Sequence, residues 1–579
     1  MELDNCIVSY GGLKENPSLH VNITAVEPLK HFFKRLEVLD YGTMYMAKKP
    51  ANDNYIELMK QFKDYYLLEY IYENLLYPSS LLQAHKNMKF SMIFLSDDDW
   101  QFHIYSRFLG HYYNLCLTTY EWRLKDFKRA GLNAYHMQWA GNQNVYRKMD
   151  LEKEFDVTFI GSIYGQRYEI IKYLINNGVK LRIFGIKPRQ QDLLDYWGGY
   201  VSTEESIEII NKSKINLSFL SASVKEYTSI KLRLFEIPVS GGFQICDDYE
   251  YVYKYFKKDK EIITFTDKKD LLNKIKLYLQ NSRKRDLISE RAYKRAISEH
   301  TWEKRYKGLF DYINVNNELH RKVIKPPISF SKILVFYNLN MQNRPNYITL
   351  KAIESQILKP YQIYYYNQGN AVNCPANWKE IFDKEEMKDI IEGNEYDYLT
   401  FIKDETHMEP EKICFQAYAL DLDREENIEI NFASWGLYRK NHGEIASYLL
   451  REQRDYRNEE NLVWKSVFPD CVMVSKNKAS KESELITEWL LKGDDNWVKY
   501  IFSDKKNYRY IDILVSLVWI PDRWAFELFD SYGKDYANYL IKSGILLLNK
   551  SFYRRLLLKD ADFRSYSKEI VRAIKRRII

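Results

Sequence analysis

Close cysteine pairs are missing from this 579-residue sequence: Cys6, Cys116, Cys246, Cys374, Cys414 and Cys471 are scattered along it. That spacing encodes neither a zinc site nor a compact disulfide framework, and it fits a reducing, cytoplasmic setting. Long apolar runs are missing too. Residues 513–520 are among the longest, far below the roughly 20 residues of a membrane span. The opening MELDNCIVSYGG lacks the basic start and apolar core of a signal peptide. The expectation is a protein neither secreted by that route nor integral to a membrane. An excess of one charge is also lacking: 86 basic against 79 acidic residues leave +7. That is short of the basic signature of a dedicated nucleic-acid binder, so nucleic acid is not an expected partner.

What is present is the balance of a soluble globular chain, with 46% hydrophobic and 28% charged residues. At about 100–200 residues per domain this length needs three or four cores. Aromatics reach 16%, with 49 Tyr. Their faces suit sugar rings or bases, although a Lys/Ile/Asn/Tyr-rich composition is also what an AT-rich genome produces.

No repeat marks the domains, so boundaries follow the rhythm of strands, helices and breakers. LEVLDYG, a helix around residues 56–76, FSMIFLSDDD, FDVTFIGS, a helix from Tyr168, and KLRIFG alternate as parallel-sheet units do. INLSFLSA, LRLFEIP, GFQICD and EIITFTD repeat the rhythm and end in a basic helical stretch over residues 270–313. The reading is α/β: two Rossmann-like halves, 1–150 and 151–318, meeting near residues 148–155. A linker at 319–331 follows, with Pro326 and Pro327 holding extended backbone. Then come an α/β unit, 332–433, with a helix near residues 349–356, and a mostly helical extension, 434–579.

Ligands of open parallel sheets bind beyond the carboxyl ends of the strands. There Gly161, Ser162 and Arg167 (GSIYGQR) form a turn between a strand and a helix, whose N–H groups and guanidinium suit an anion, although such a turn is most often only a turn. In SIKLRLFEIPVSGGFQICDD, Lys231, Arg233 and Glu236 crowd a helix start. Gly241 and Gly242 bend the chain into the next strand, where small residues allow close approach to the backbone. Glu236 suits two ribose hydroxyls and Lys231 or Arg233 a diphosphate; the plainer alternative is an ion pair beside a helix cap. Asp97, Asp98, Asp99 and His103, after FSMIFLS, are the candidates for a general base, against a helix cap and a solvated turn. His300 in EHTW reads as a structural hydrogen-bonder. SKEIVRAIKRRII places Ile570, Val571, Ile574 and Ile578 beside Lys575, Arg576 and Arg577, a pattern for peripheral membrane contact or for docking on its own domain.

The run from FDVTFIGSIYGQRYEIIKYL through IKLRLFEIPVSGGFQICDDYEYVYKYF to SEHTWEKRYKGLF, with IFLSDDD and WAGN before it, resembles the spore maturation protein CgeB family of GT-B glycosyltransferases over residues 90–313. The resemblance implies two Rossmann-like domains facing a cleft, acceptor on the first and nucleotide-sugar on the second, with no metal cofactor. It casts Arg167 and Lys231 as diphosphate contacts. In the related glycosyltransferase family four, two Glu separated by seven intervening residues precede the Gly-rich strand. The second falls at Glu236 and the first at Thr228, a departure that bears on the donor sugar. ILVFYNLNMQNRPNYITLKAIESQILKPYQIYYYNQGN with YDYLTFIKDETHMEPEKI is similar to the nucleotide-binding half of a glycosyltransferase family two, GT-A domain. That similarity implies Mn²⁺ or Mg²⁺ at Asp404, with Glu405 or His407, where the family's Asp-x-Asp lacks its second Asp. The expected function is transfer of a sugar from a nucleotide diphosphate to a hydroxyl of a glycan, protein or cell-surface polymer, by one module or both. The rival is a non-catalytic carbohydrate- or nucleic-acid-binding protein on the same folds.

Overall fold

The computed structural model describes residues 3–10, 25–40, 51–70, 78–99, 101–221, 228–338, 345, 347–366, 373–403, 406–408, 410–441, 444–451, 472–492 and 508–519. The chain divides into two compact units, Met1–Pro326 and Pro327–Ile579. The division lies inside the segment read as a linker.

The first unit holds two sheets. One contains β1 (Leu3–Tyr10), β2 (Phe33–Asp40), β3 (Tyr66–Tyr70), β4 (Phe90–Leu95), β5 (Leu115–Thr118) and β6 (Ala134–His136). Their order is β2-β1-β3-β4-β5-β6, parallel throughout. The other contains β7 (Phe155–Ile160), β8 (Leu181–Phe184), β9 (Ser213–Ser218), β10 (Gln244–Asp247) and β11 (Ile263–Phe265). It too is parallel, in the order β8-β7-β9-β10-β11. These strands are apolar runs because both faces are covered: every residue of FSMIFL in β4 is buried. Each large apolar side chain so buried contributes about 1.5–3 kcal/mol. In both sheets the first strand lies between the second and the third, so the order reverses at β1/β3 and at β7/β9. Such a reversal opens a crevice beyond the carboxyl ends of the two strands.

Three helices matter for the site: α1 (Gln166–Asn176), α2 (Arg233–Val239) and α3 (Trp302–Val315). The last corrects the boundary at residue 318. Capped by the Thr301 hydroxyl, α3 leaves the second half, and Trp302, Tyr306, Leu309, Phe310 and Ile313 join the core built on β1, β3 and β4. The two crossings between halves run side by side: Gly141 N–H donates to His300 O at 3.0 Å and Trp302 N–H to Gly141 O at 3.0 Å. The halves therefore exchange chain at Gly141 and Thr301, upstream of residues 148–155. A second correction concerns the helix expected over residues 56–76. The helix there is Ala51–Met59, and Tyr66–Tyr70 is the central strand β3 with all five residues buried. A buried run this short, YLLEY with its one charged residue Glu69, carries no periodicity that separates a strand from a helix.

The second unit is one mixed sheet of β12 (Ile333–Asn338), β13 (Gln362–Tyr366), β14 (Lys379–Ile381), β15 (Tyr398–Lys403), β16 (Thr406–Met408), β17 (Ile430–Asn441), β18 (Glu444–Arg451), β19 (Val472–Ser475) and β20 (Tyr508–Trp519). Its order is β14-β13-β12-β15-β19-β17-β20-β16, with β18 on β17. The first four strands are parallel, and β19 is antiparallel to both neighbours. Along β12, Leu334 and Phe336 enter one core, while Ile333, Val335 and Tyr337 enter the other, as period-two alternation requires. The helical extension from residue 434 is corrected. Its described part is largely strand, β17 to β20, with helices Lys476–Lys481 and Ser483–Lys492, and the sheet runs unbroken across the 433/434 boundary. Tyr, Trp, Ile and Val dominate YRYIDILVSLVW, a composition that favours extended backbone. Residues 545–548 and 570–579, singled out in the sequence as apolar stripes, lie outside the described residues. No helix among the described residues is long and apolar enough to cross a membrane.

Candidate functional site

In the second half the crevice lies between the ends of β7 and β9. Gly161 N–H donates to Phe184 O at 2.9 Å, and Gly165 caps α1 with φ 52°, a left-handed conformation that glycine adopts without strain. Arg167 is buried against this turn. Its Nη1 donates to Ser162 O (3.0 Å), its Nη2 to Phe219 O (3.1 Å) and Ser221 O (2.6 Å), and its Nε to Ser221 Oγ (3.3 Å). The guanidinium also stacks 4.0 Å from the Tyr164 ring centre. Arg167 thus ties the loop after β7 to the loop after β9. It shapes the crevice, with most of its donors committed to backbone carbonyls.

After β9 the chain leaves the described residues at 222–227 and returns at Thr228, which pairs with Ser221. Ser229 N–H donates to Leu220 O at 3.0 Å, which holds the chain beside the exit of β9 two residues before Lys231. Farther on, Glu236 lies inside the protein, 1% exposed, with Oε2 3.0 Å from Arg233 Nη1. The Tyr146 hydroxyl lies beside the pair, and burial followed by Glu236 holds its pKa well above the ordinary tyrosine value. The structure therefore places Arg233 and Glu236 in an internal ion pair. Gly241 and Gly242 are placed elsewhere again. Gly241 has φ 72°, and the Gly241 and Gly242 N–H groups donate to Pro238 O and Ile237 O at the end of α2. A Cβ on Gly242 would lie 2.7 Å from Ile210 and 2.9 Å from Ile237. The pair caps a helix at the amino end of β10, opposite the ligand edge, which corrects its expected place at a donor.

In the first half Asp97, Asp98 and Asp99 follow β4. Asp98 is wholly buried, with Thr118 Oγ1 donating to its Oδ2 at 2.5 Å. Burial pushes its pKa up to about 7 against the Ser106 and Thr118 hydroxyls and Arg123, which pull it down. Asp99 is 2% exposed, and after burial its charge is the main cause that pushes the nearby Tyr120 hydroxyl's pKa well up. His103 Nε2 sits 3.2 Å from Arg123 Nη1. Asp97 alone of the three carboxylates reaches the surface, and its Oδ1 lies 3.8 Å from Lys231 Nζ of the other half. Thr119, Tyr120, His136 and Gln138 face Ile230, Tyr249, Tyr251 and Tyr255 in the adjoining inter-half pocket.

Sequence reasoning missed three residues that build this site. Arg123 donates from Nε to Asp98 O and from Nη2 to Asp99 O, both at 2.9 Å, and pairs with Asp126 at 2.9 Å, so it pins the acidic turn. Asp247, at the end of β10, accepts Leu220 N–H at 2.5 Å and holds the exit of β9. Tyr146 closes over Arg233 and Glu236. A strand-terminal Asp247 was legible as a candidate by its place; Arg123 and Tyr146 carry no local signal. His300 is structural: its Nε2 meets Tyr255 O at 2.8 Å, and burial followed by Arg305 lowers its pKa to about 4. Asp404 and Glu405 lie outside the described residues. They follow β15 directly, and β15 borders β12 where that sheet's order reverses; the backbone of His407 is in β16.

Residues 167–311 match a family model described as glycosyl transferase-like, so this segment, most of the second half, is of glycosyltransferase type. No curated protein matches the chain. Solved structures similar to it include S. aureus TarM, at 13% identity and TM-score 0.36, covering 46% of this chain and 59% of that one. Anabaena HepE, solved with UDP and glucose, is similar at 11% identity and TM-score 0.40 over 53% of this chain and 99% of that one. A DNA-modifying β-glucosyltransferase is similar at 14% identity and TM-score 0.35 over 53% and 100%. The chain spans about three-fifths of the length of TarM.

Proposed function

We propose that the first unit is a GT-B glycosyltransferase that moves a sugar from a nucleotide diphosphate to a hydroxyl of a glycan, protein or cell-surface polymer. The observation that carries the reading is the coincidence of the glycosyl transferase-like match with the half whose strand order reverses at β7/β9, beneath an Arg167-braced turn and the N-terminus of α1. The donor diphosphate lies over that turn, within reach of Lys231, and Arg167 acts by holding the turn's shape. The acceptor approaches the end of β4. Asp97, the carboxylate turned toward the second half, takes the hydroxyl proton. As the acceptor oxygen bonds to the anomeric carbon, the bond from that carbon to the diphosphate breaks, and the electron pair leaves with the nucleoside diphosphate, where Lys231 stabilises the charge. Asp98, Asp99 and Arg123 hold the turn that presents Asp97.

The second unit is read as a GT-A-like domain. Four parallel strands whose order reverses at β12/β15 support that reading. Asp404, with Glu405 or His407, would hold Mn²⁺ or Mg²⁺, which would supply positive charge to a diphosphate. The internal pair between Glu236 and Arg233 favours the rival of a non-catalytic protein on the same folds, because it occupies the carboxylate read as a donor's ribose contact. Thermal unfolding of the full chain against single nucleotide-sugars tests donor binding: at 100 times the dissociation constant a donor stabilises by about 2.7 kcal/mol. A panel of UDP-, GDP- and ADP-sugars that leaves the transition unmoved overturns the proposal.

A further inference from the structure

The contact between Asp97 and Lys231 joins two groups to which the proposed transfer assigns different partners. Lys231 belongs to the donor's diphosphate, and Asp97 to the acceptor's hydroxyl. In the structure each is the other's counter-ion, 3.8 Å apart across the divide between the halves, with 35% and 27% of their side chains exposed. The surroundings fix both ends. Arg123 pins the turn that carries Asp97 by two backbone carbonyls. The Ser229 N–H holds the segment that carries Lys231 beside the exit of β9. Tyr120, beside this turn, faces Ile230 of the other half along the same divide. A partly exposed pair held from both sides is weak enough for a diphosphate, with its greater charge, to take the lysine.

We infer that Asp97 and Lys231 form a gate that orders the reaction: the diphosphate of the donor draws Lys231 away, and only then is the Asp97 carboxylate free to receive the acceptor. The inference rests on the proposed transfer. It makes donor binding precede acceptor binding, and it gives Asp97 two opposed effects, since the carboxylate that serves the acceptor competes with the donor.

That opposition supplies the test. UDP and GDP are titrated calorimetrically, without acceptor and at low salt, into the full-length wild type, Asp97→Asn, Lys231→Met and the double variant. Asp97→Asn should tighten the nucleoside diphosphate by about two- to five-fold, because its competitor for Lys231 is gone. Lys231→Met should weaken it by about ten-fold or more. In the Lys231→Met background the Asp97 substitution should change nothing, which separates the gate from general removal of negative charge. Asp97→Ser repeats the comparison should the amide disturb the turn. Unchanged or weaker binding in Asp97→Asn, or tightening that survives in the double variant, overturns the gate while leaving the transferase reading intact. A wild type that binds neither diphosphate overturns both.

Discussion

The two halves of the first unit brace their ligand edges with the same device and leave different chemistry in front of it. In the first half, Arg123 ties the carbonyls of Asp98 and Asp99 and so fixes the acidic turn after β4. In the second, Arg167 ties the carbonyls of Ser162, Phe219 and Ser221 and so fixes the loops after β7 and β9. Guanidinium is suited to both because its planar fork reaches several carbonyls at once and stays charged when buried. Before the first brace stands a carboxylate, Asp97; beside the second stands an ammonium, Lys231. The lesson is that the most conspicuous charged residues of such a crevice can be its frame, and the reacting groups those the frame leaves exposed.

The largest expected effect breaks the first half's side of the comparison. Asp98 is buried with its pKa near 7, above its unfolded value of about 3.9. The folded chain therefore binds this proton more tightly than the unfolded one. Stability from Asp98 is full below about pH 4, falls between pH 4 and 7, and stays at its lowest above that, a span on the order of 4 kcal/mol. Asp98→Asn should remove most of this decline, so urea unfolding at pH 4 and pH 8 should show the variant gaining on wild type at the higher pH. Parallel curves for the two proteins would deny that the buried group titrates there.

Arg167→Lys breaks the second half's side. A lysine cannot span three carbonyls, so unfolding free energy should fall by roughly 2–3 kcal/mol. Nucleoside diphosphate and nucleoside should then weaken together, since the crevice has lost its shape. Selective loss of the diphosphate at unchanged stability would instead make Arg167 a direct phosphate contact. Glu236→Gln sharpens the distinction between frame and reacting group. Stability should fall by about 1.5–3 kcal/mol through loss of the charged pair with Arg233, and donor affinity should change little. Loss of donor affinity by ten-fold or more without loss of stability would restore Glu236 to the ribose. Smallest is the two- to five-fold tightening expected of Asp97→Asn, which sets the two exposed groups against each other.

Much of the scaffold was legible in the sequence, because parallel strands buried on both faces read as apolar runs. FSMIFL, FDVTFI, LRIF, SKINLS and QICD stand in the structure as β4, β7, β8, β9 and β10. YYLLEY did not separate from a helix, since so short a run, with Glu69 its one charged residue, has no clear period to read. The return of Trp302–Val315 to the first half was invisible for another reason: periodicity shows that Trp302, Tyr306 and Phe310 share a buried face, and says nothing about which core receives it. At the site, residue type and order found the acidic turn after β4 and the GSIYGQR loop. What sequence could not assign was commitment. Lys231 and Arg233 look alike two positions apart, yet one faces the other half and one is paired inside with Glu236.

Nucleotide-sugar chemistry in the first unit stands or falls on one assay. The direct measurement is release of nucleoside diphosphate from UDP- and GDP-sugars by the full-length protein, compared with Lys231→Met. The account predicts slow donor hydrolysis by the wild type even without acceptor, lowered at least ten-fold in Lys231→Met while urea unfolding is unchanged. No release from any donor, or release that is equal in the two proteins, would contradict it.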